Sequence, residues 1–289
     1  MTSLFGSIAA IPGLAPAIAF VLGACIGSFL NVCIARWPRE QSVVRPRSRC
    51  PECGHQLSWF ENVPLVSWLA LRARCRCCQE PISVMYPMVE LTVALGWLAA
   101  VIAFGPTFAA VRVAIFGTIL LGVAVTDAQT YLIPDGFTLF GLGWTLATAI
   151  VAFFLGQLSL FAGPYDALIG ACAGAGMIAI VGWLGEVALK REAMGLGDVT
   201  LMAFIGGALG PQRAIMTVFL ASALGAVAFL GIVYPLAWLR RAQAREQTEL
   251  ALGGAPFQAP LVPFGVFLAP AAMVTLLWGD ALLALLLRS

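Results

Sequence analysis

The chain has 289 residues, of which 61% are hydrophobic and only 10% charged, with a mean hydropathy of +0.95. That balance excludes an ordinary water-soluble domain, in which about a quarter of the residues are charged. The formal net charge of +2 gives no reason to expect a nucleic-acid partner, and the medium expected around the chain is membrane lipid.

Apolar stretches recur at about 12–35, 87–104, 110–126, 132–155, 166–188, 198–211, 214–238 and 261–287. Each must be helical, because a hydrocarbon core of roughly 30 Å cannot satisfy backbone polar groups. The expected fold is therefore an all-α polytopic membrane protein of about eight transmembrane helices. The sixth stretch is short enough for a partial or deeply packed helix. No basic run precedes the first stretch, which leads straight into Arg36 and Arg39, so it reads as a retained helix rather than a cleaved signal. Gly23 with Gly27, and Gly170 with Gly174, are small-residue pairs suited to close helix packing. The GxGxxA string at Gly174, Gly176 and Ala179 lies inside an apolar helix with no strand before it, so it is not a dinucleotide turn.

Three regions follow along the chain: a first helix at 1–35, a polar loop domain at 36–86 and a helical bundle at 87–289. Arg36, Arg39, Arg45, Arg47, Arg49, Arg72, Arg74 and Arg76 all lie in the loop, half of the 16 basic residues. Their concentration places the loop in the cytoplasm. Counting helices onward puts Lys190, Arg191, Arg240, Arg241 and Arg245 on the same side, and Arg112, Arg213 and Arg288 on the other. A second polar connection at about 239–259 reads as a solvated loop.

Five of the eight cysteines fall in the cytoplasmic loop. Cys50-Pro-Glu-Cys53 and Cys75-Arg-Cys77-Cys78 form two CxxC knuckles with 21 residues between them, close to the spacing of a four-thiolate zinc site. A reducing cytoplasm disfavours disulfides, so structural Zn2+ on Cys50, Cys53, Cys75 and Cys78 is the expectation. Cys77 and His55, the only histidine, are alternative ligands. Cys25, Cys33 and Cys172 read as small hydrophobes in apolar helices.

Ionisable groups within or bordering membrane helices are costly and often functional. They are Glu90, Asp127, Asp135, Asp166, Glu186, Asp198 and Asp280. Asp127 ends the third stretch and Asp198, after Gly195-Leu196-Gly197, begins the sixth, so both fall at the cytoplasmic face. Two carboxylates sharing one proton can activate water against a peptide carbonyl, because like charges at about 3 Å cannot both ionise. A helix N-terminus would favour an ionised Asp198, leaving the proton on Asp127, and the two glycines would admit an extended substrate. Taken singly, Asp198 could equally cap its helix and Asp127 could be an interfacial polar group. Asp135 reads as the N-cap of the fourth helix, and Glu90 and Glu186 as interhelical contacts. With one histidine in the metal loop and one lysine at a helix end, Ser-His-Asp and Ser-Lys chemistries lack parts.

These motifs resemble the type IV prepilin peptidase family, in order and over nearly the whole chain. The match runs through Gly27-Ser-Phe-Leu-Asn31, Arg36-Trp37-Pro38, Cys50-Pro-Glu-Cys53-Gly-His55 and Glu61-Asn62-Val63-Pro64. It continues through Ser67-Trp68-Leu69, Pro81-Ile82-Ser83, Tyr86-Pro87 and Val89-Glu90-Leu91, then Thr126-Asp127, Ile133-Pro134-Asp135, Gly195-Leu196-Gly197-Asp198 and Pro263-Phe264-Gly265. The resemblance implies an aspartyl endopeptidase in a bacterial inner membrane with its site facing the cytoplasm. Its implied substrates are type IV prepilins or type II secretion pseudopilins, and S-adenosylmethionine-dependent methylation of the new amino terminus follows in many members. Ala73 stands where glycine is common and Thr200 where lysine is usual. A chain with peptidase activity alone is one alternative; a zinc-stabilised transporter or assembly scaffold whose acids line an ion path is another.

Overall fold

The computed structural model describes residues 13–157, 160–190, 194–235 and 263–286. Every apolar stretch holds a helix: α1 (Leu14–Arg36), α2 (Met85–Phe104), α3 (Phe108–Thr130), α4 (Asp135–Phe154), α5 (Pro164–Leu189), α6 (Leu196–Leu209), α7 (Pro211–Ala228) and α8 (Gly265–Leu286). Among the described residues the only extended pairings are isolated bridges, Arg49 with Gln56 and Arg74 with Pro81, both in the loop domain. Seven of the helices are long and apolar enough to cross a membrane. The eighth, α6, has 14 residues, about 21 Å at 1.5 Å per residue.

A helix too short to span survives because protein surrounds it. Leu201, Met202, Phe204, Ile205 and Ala208 are fully buried, and α6 packs against α4, α5, α7 and α8. The crossing with α5 depends on missing side chains: a Cβ on Gly170 would run into the Gly206 carbonyl, and one on Gly174 into that of Met202. The α1–α2 pair uses the same device, since Cβ atoms at Gly23 and Gly27 would lie 2.8 Å from Ala94 Cα and 2.7 Å from Glu90 Cα. Both small-residue pairs of the sequence are therefore packing surfaces.

The two ends of the bundle differ. At one, Arg213 donates to the Leu160 carbonyl and to Asp280, and the Arg112 guanidinium lies 4.2 Å from the centre of the Phe161 ring. Both arginines thus hold the α4–α5 connection, at the end where the helix count placed them. At the other end lie the loop domain, the α3–α4 turn and the starts of α6 and α8. Arg191, Arg240, Arg241, Arg245, Arg288 and the 239–259 connection lie outside the described residues.

Two readings of single acids change. Pro134, extended at ψ 136°, is the N-cap of α4, and Asp135 is its first helical residue, where its charge faces the positive end of the helix dipole. Proline's fixed φ suits it to the entry of a helix. Glu90, on α2, accepts the Leu65 N–H at 2.8 Å, so it ties the loop domain to the bundle instead of joining two helices. Glu186 is exposed.

Candidate active site and metal centre

Asp127 stands one turn from the end of α3. Its neighbour Thr126 is fully buried and returns its hydroxyl to the Gly122 carbonyl at 2.7 Å. Gly122 lets two other elements close in, since a Cβ there would lie 2.5 Å from the Phe137 ring and 2.8 Å from Leu30. Asp127 itself is only 4% exposed. A carboxylate so placed needs donors, and the start of α8 supplies one: Val266 N–H donates to Oδ2 at 3.2 Å. The approach requires Gly265, where a Cβ would sit 2.8 Å from the same oxygen. Gly265→Ala would displace the carboxylate without harming the helix. Any hydrolysis that this carboxylate carries is expected to fall by roughly 10–100-fold, the cost of moving a reacting group by about 1 Å, while the melting profile in detergent stays unchanged.

Asp198 is the third residue of α6, whose N-cap is Gly195. Its Oδ1 is buried and has no hydrogen-bond partner. Ile133 links the two acids. A Cβ on Gly197 would lie 2.9 Å from Ile133 Cβ, and one on Gly265 would lie 3.1 Å from Ile133 Cδ1. The turn after α3 therefore wedges between the starts of α6 and α8, and both acids lie at this end of the bundle. Thr200 satisfies its hydroxyl locally on the Gly197 carbonyl at 3.1 Å.

The two glycines before Asp198 are placed differently. Gly195 is at φ −78° and ψ 154°, a conformation open to any residue, but it faces open space. Gly197 is packed on Ile133, so its missing side chain serves the seam between elements. Sequence reasoning assigned no role to Ile133, Gly265 or Val266. Pro263-Phe264-Gly265 was the available signal, but backbone donors leave no residue signature.

In the loop domain the Sγ atoms of Cys50, Cys53, Cys75 and Cys78 lie within 4.8 Å of one another. Cys50 and Cys78 are separated by 3.8 Å and Cys53 and Cys75 by 3.9 Å. Four thiolates at about 2.3 Å from one zinc ion stand about 3.8 Å apart, so the donor set fits that ion. The two knuckles have one construction. Cys50 N–H donates to His55 O and Gly54 N–H to Cys50 O; Cys75 N–H donates to Glu80 O and Gln79 N–H to Cys75 O. The fourth residue after each leading cysteine is left-handed, Gly54 at φ 71° and Gln79 at φ 61°.

Within this group the Cys77 and Cys78 N–H groups hold the Cys75 thiol down to about 6. The Glu80 N–H works against a rise at Cys78, but desolvation and the neighbouring thiols push it up to about 12. Cys77 is exposed and outside the cluster. His55 is turned to Glu61 at 3.3 Å, so neither alternative ligand is used.

Glu61 closes a capping box with Ser58. The Ser58 N–H, with help from His55, holds its carboxyl below the ordinary range. That stabilisation is in force above the ordinary carboxylate pKa and is lost as pH falls through the lowered one. Asn31 donates to the Tyr86 carbonyl at 3.0 Å, tying α1 to α2, and Trp68 Nε1 donates to Ile82 O at 3.2 Å within the loop domain. Ala73 is left-handed at φ 58°, which explains why glycine suits this position. Ala73→Gly is expected to raise the loop domain's unfolding free energy by up to about 1 kcal/mol, relief of left-handed strain less added chain entropy. Denaturant titration followed through Trp68 measures it.

The sequence profile described as the Bacterial Peptidase A24 N-terminal domain matches residues 21–104. That of the Type IV leader peptidase family matches residues 114–230. A prepilin leader peptidase/N-methyltransferase of Myxococcus xanthus is 44% identical over 230 residues, 80% of this chain and 66% of that protein. The protein of the same name from Stutzerimonas stutzeri is 37% identical over 92% of this chain and 91% of its own length. That from Pseudomonas aeruginosa is 34% identical over 90% and 89%. No solved structure matches.

Proposed function

This chain belongs to the type IV leader peptidase family, and we propose that it removes the basic leader from type IV prepilins or type II secretion pseudopilins and then methylates the exposed amino terminus. The observation that carries the peptidase reading is the meeting of Asp127 and Asp198, from separate helices, at one end of the bundle. One has backbone donors and the other a buried, unpartnered oxygen. An ion path needs acids strung across the bundle; a pair gathered at one end favours hydrolysis over the transporter reading.

The chemistry follows from hydrogen bonding. The Val266 N–H falls on Asp127 while Asp198 Oδ1 has no partner, so the shared proton belongs with Asp198, the reverse of the assignment drawn from helix position. Asp127 takes a proton from water as its oxygen attacks the scissile carbonyl carbon, and Asp198 gives its proton to the carbonyl oxygen. The tetrahedral species then collapses. As its C–N bond breaks, the nitrogen takes the proton from Asp127 and Asp198 recovers its proton from a hydroxyl of the diol, so the products are the leader carboxylic acid, which ionises in water, and a free amine, with both aspartates restored to their starting states.

Cys50, Cys53, Cys75 and Cys78 would hold a structural Zn2+, since four thiolates leave no open position for substrate or water. S-adenosylmethionine would supply an electrophilic methyl group to the amine, and the chain's task there is to bind both reactants and receive the amine proton. The orientation is that of a bacterial inner-membrane protein with residues 36–86 and both aspartates on the cytoplasmic side, a reading supported by the arginine-rich loop. Incubating the detergent-purified chain with a prepilin and S-adenosylmethionine tests the whole reading. Mass spectrometry is expected to find the mature subunit carrying one added methyl; an intact leader would contradict the peptidase, and an unmethylated mature terminus the transferase.

A further inference from the structure

The short helix Val66–Ala70 of the loop domain carries its residues the wrong way round for water. Ser67 and Trp68 are turned inward: the Ser67 hydroxyl donates to the Val63 carbonyl at 2.6 Å and Trp68 Nε1 to Ile82 O. Val66, Leu69 and Ala70 are left outside, and Val66 and Leu69 are 61% and 68% exposed. Spaced three apart, those two share one face of the helix. A helix bordering water places polar side chains on such a face. We propose that this face is seated in the lipid of the cytoplasmic leaflet, and that Trp59, Phe60 and Arg76 continue it at the level of acidic lipid headgroups.

Depth is the first argument. Leu65, which opens the short helix, donates its N–H to Glu90 with its own φ at 63°, a conformation that a bulky residue adopts only when its surroundings impose it. Glu90 stands five residues into α2, about 7.5 Å from its start. The 20 residues of α2 are only just enough to cross the hydrocarbon. The short helix is therefore tied level with the first turns of a spanning helix, where Met88 and Leu91 are themselves exposed. Composition is the second argument. The turn Trp59–Asn62 contacts the short helix and exposes Trp59 and Phe60, whose rings meet edge to face at 5.8 Å. Arg76 lies over the Phe60 ring, 5.3 Å from its centre. Aromatic side chains collect at the membrane–water boundary, and a guanidinium beside them suits an anionic headgroup. Arg72 and Arg74, exposed as well, add to the positive charge nearby. A protein partner would have to reach Val66 and Leu69 at a depth that lipid already fills.

The test is photocrosslinking of the full chain in nanodiscs made of equal parts phosphatidylcholine and phosphatidylglycerol. The photoreactive residue p-benzoylphenylalanine replaces Leu69, Trp59 or, as a charged and exposed position of the first knuckle, Glu52. Elution and melting profiles matching those of the unsubstituted chain show that the labelled chains are folded. Mass spectrometry after irradiation is expected to find lipid adducts at positions 69 and 59 and none at 52. At 59, phosphatidylglycerol adducts are expected to exceed phosphatidylcholine adducts by up to about fivefold, the preference one arginine confers near a charged surface, and Arg76→Gln is expected to remove most of that excess. Absence of lipid adducts at 69, adducts there to a second copy of the chain, or lipid adducts as frequent at 52 as at 69 would each overturn the seating of this face in lipid. Equal adducts of the two lipids at 59 would overturn the assignment of Arg76 to acidic headgroups.

Discussion

Asp127→Asn and Asp198→Asn are each expected to lower the turnover number for leader cleavage by at least roughly 10²–10⁴-fold, the usual worth of a general acid or base. The amide is nearly isosteric, so packing around α3 and α6 is kept. At Asp127 it can still accept from Val266, but it cannot take a proton from water. At Asp198 it has no acidic proton to give the carbonyl oxygen. Substrate affinity should change little, because neither substitution removes a binding surface. Single-turnover cleavage of a purified prepilin separates these quantities; undiminished cleavage by either variant would remove that acid from the mechanism.

The second large effect belongs to the cysteines. Cys50→Ser, Cys53→Ser, Cys75→Ser and Cys78→Ser should each lose bound metal and open residues 36–86 to protease, whereas Cys77→Ser should do neither. Structural zinc contributes an apparent 10–16 kcal/mol in small metal domains, far more than this loop gains from packing. Apart from Cys75, its hydrophobic side chains are at best half-buried, and Trp59 is 82% exposed. Metal content by mass spectrometry and limited proteolysis measure the two consequences. A chelator should reproduce the four serine variants, and loss of metal from Cys77→Ser would show that the ligand set is wrong.

Much of this fold is legible in the sequence because lipid leaves the backbone so little choice. All eight apolar stretches hold helices, with ends within a few residues of expectation except at α7, whose expected end at 238 lies outside the described residues. The packed environment of α6 was legible only from its length: hydropathy reads the same whether Leu201 and Phe204 face acyl chains or neighbouring helices, and here they face helices. The cysteine ligands could be read because a knuckle is a local structure with fixed spacing. The left-handed residue closing each knuckle could be read at Gly54 but not at Gln79, where tertiary geometry overrides the residue's preference.

The candidate active site divides along the same line. The two aspartates were visible as expensive charges, and their common face followed from counting helices. Which of them receives donors was not visible, since the donor is a backbone N–H at residue 266, brought in by tertiary packing. Nor was the duty of Gly197, which a substrate-access argument explained differently, or of Asp135, which proline displaced from the cap by one residue. Residues whose role depends on side-chain type were found; residues whose role depends on where the backbone passes were not.

The double variant Asp127→Asn with Asp198→Asn tests the shared site most directly. Two groups that act on one water and one carbonyl lose their function together, so the expected rate of leader cleavage is no lower than that of the slower single variant. Losses that multiply would contradict the pair, because they would mean that each aspartate works at a site of its own.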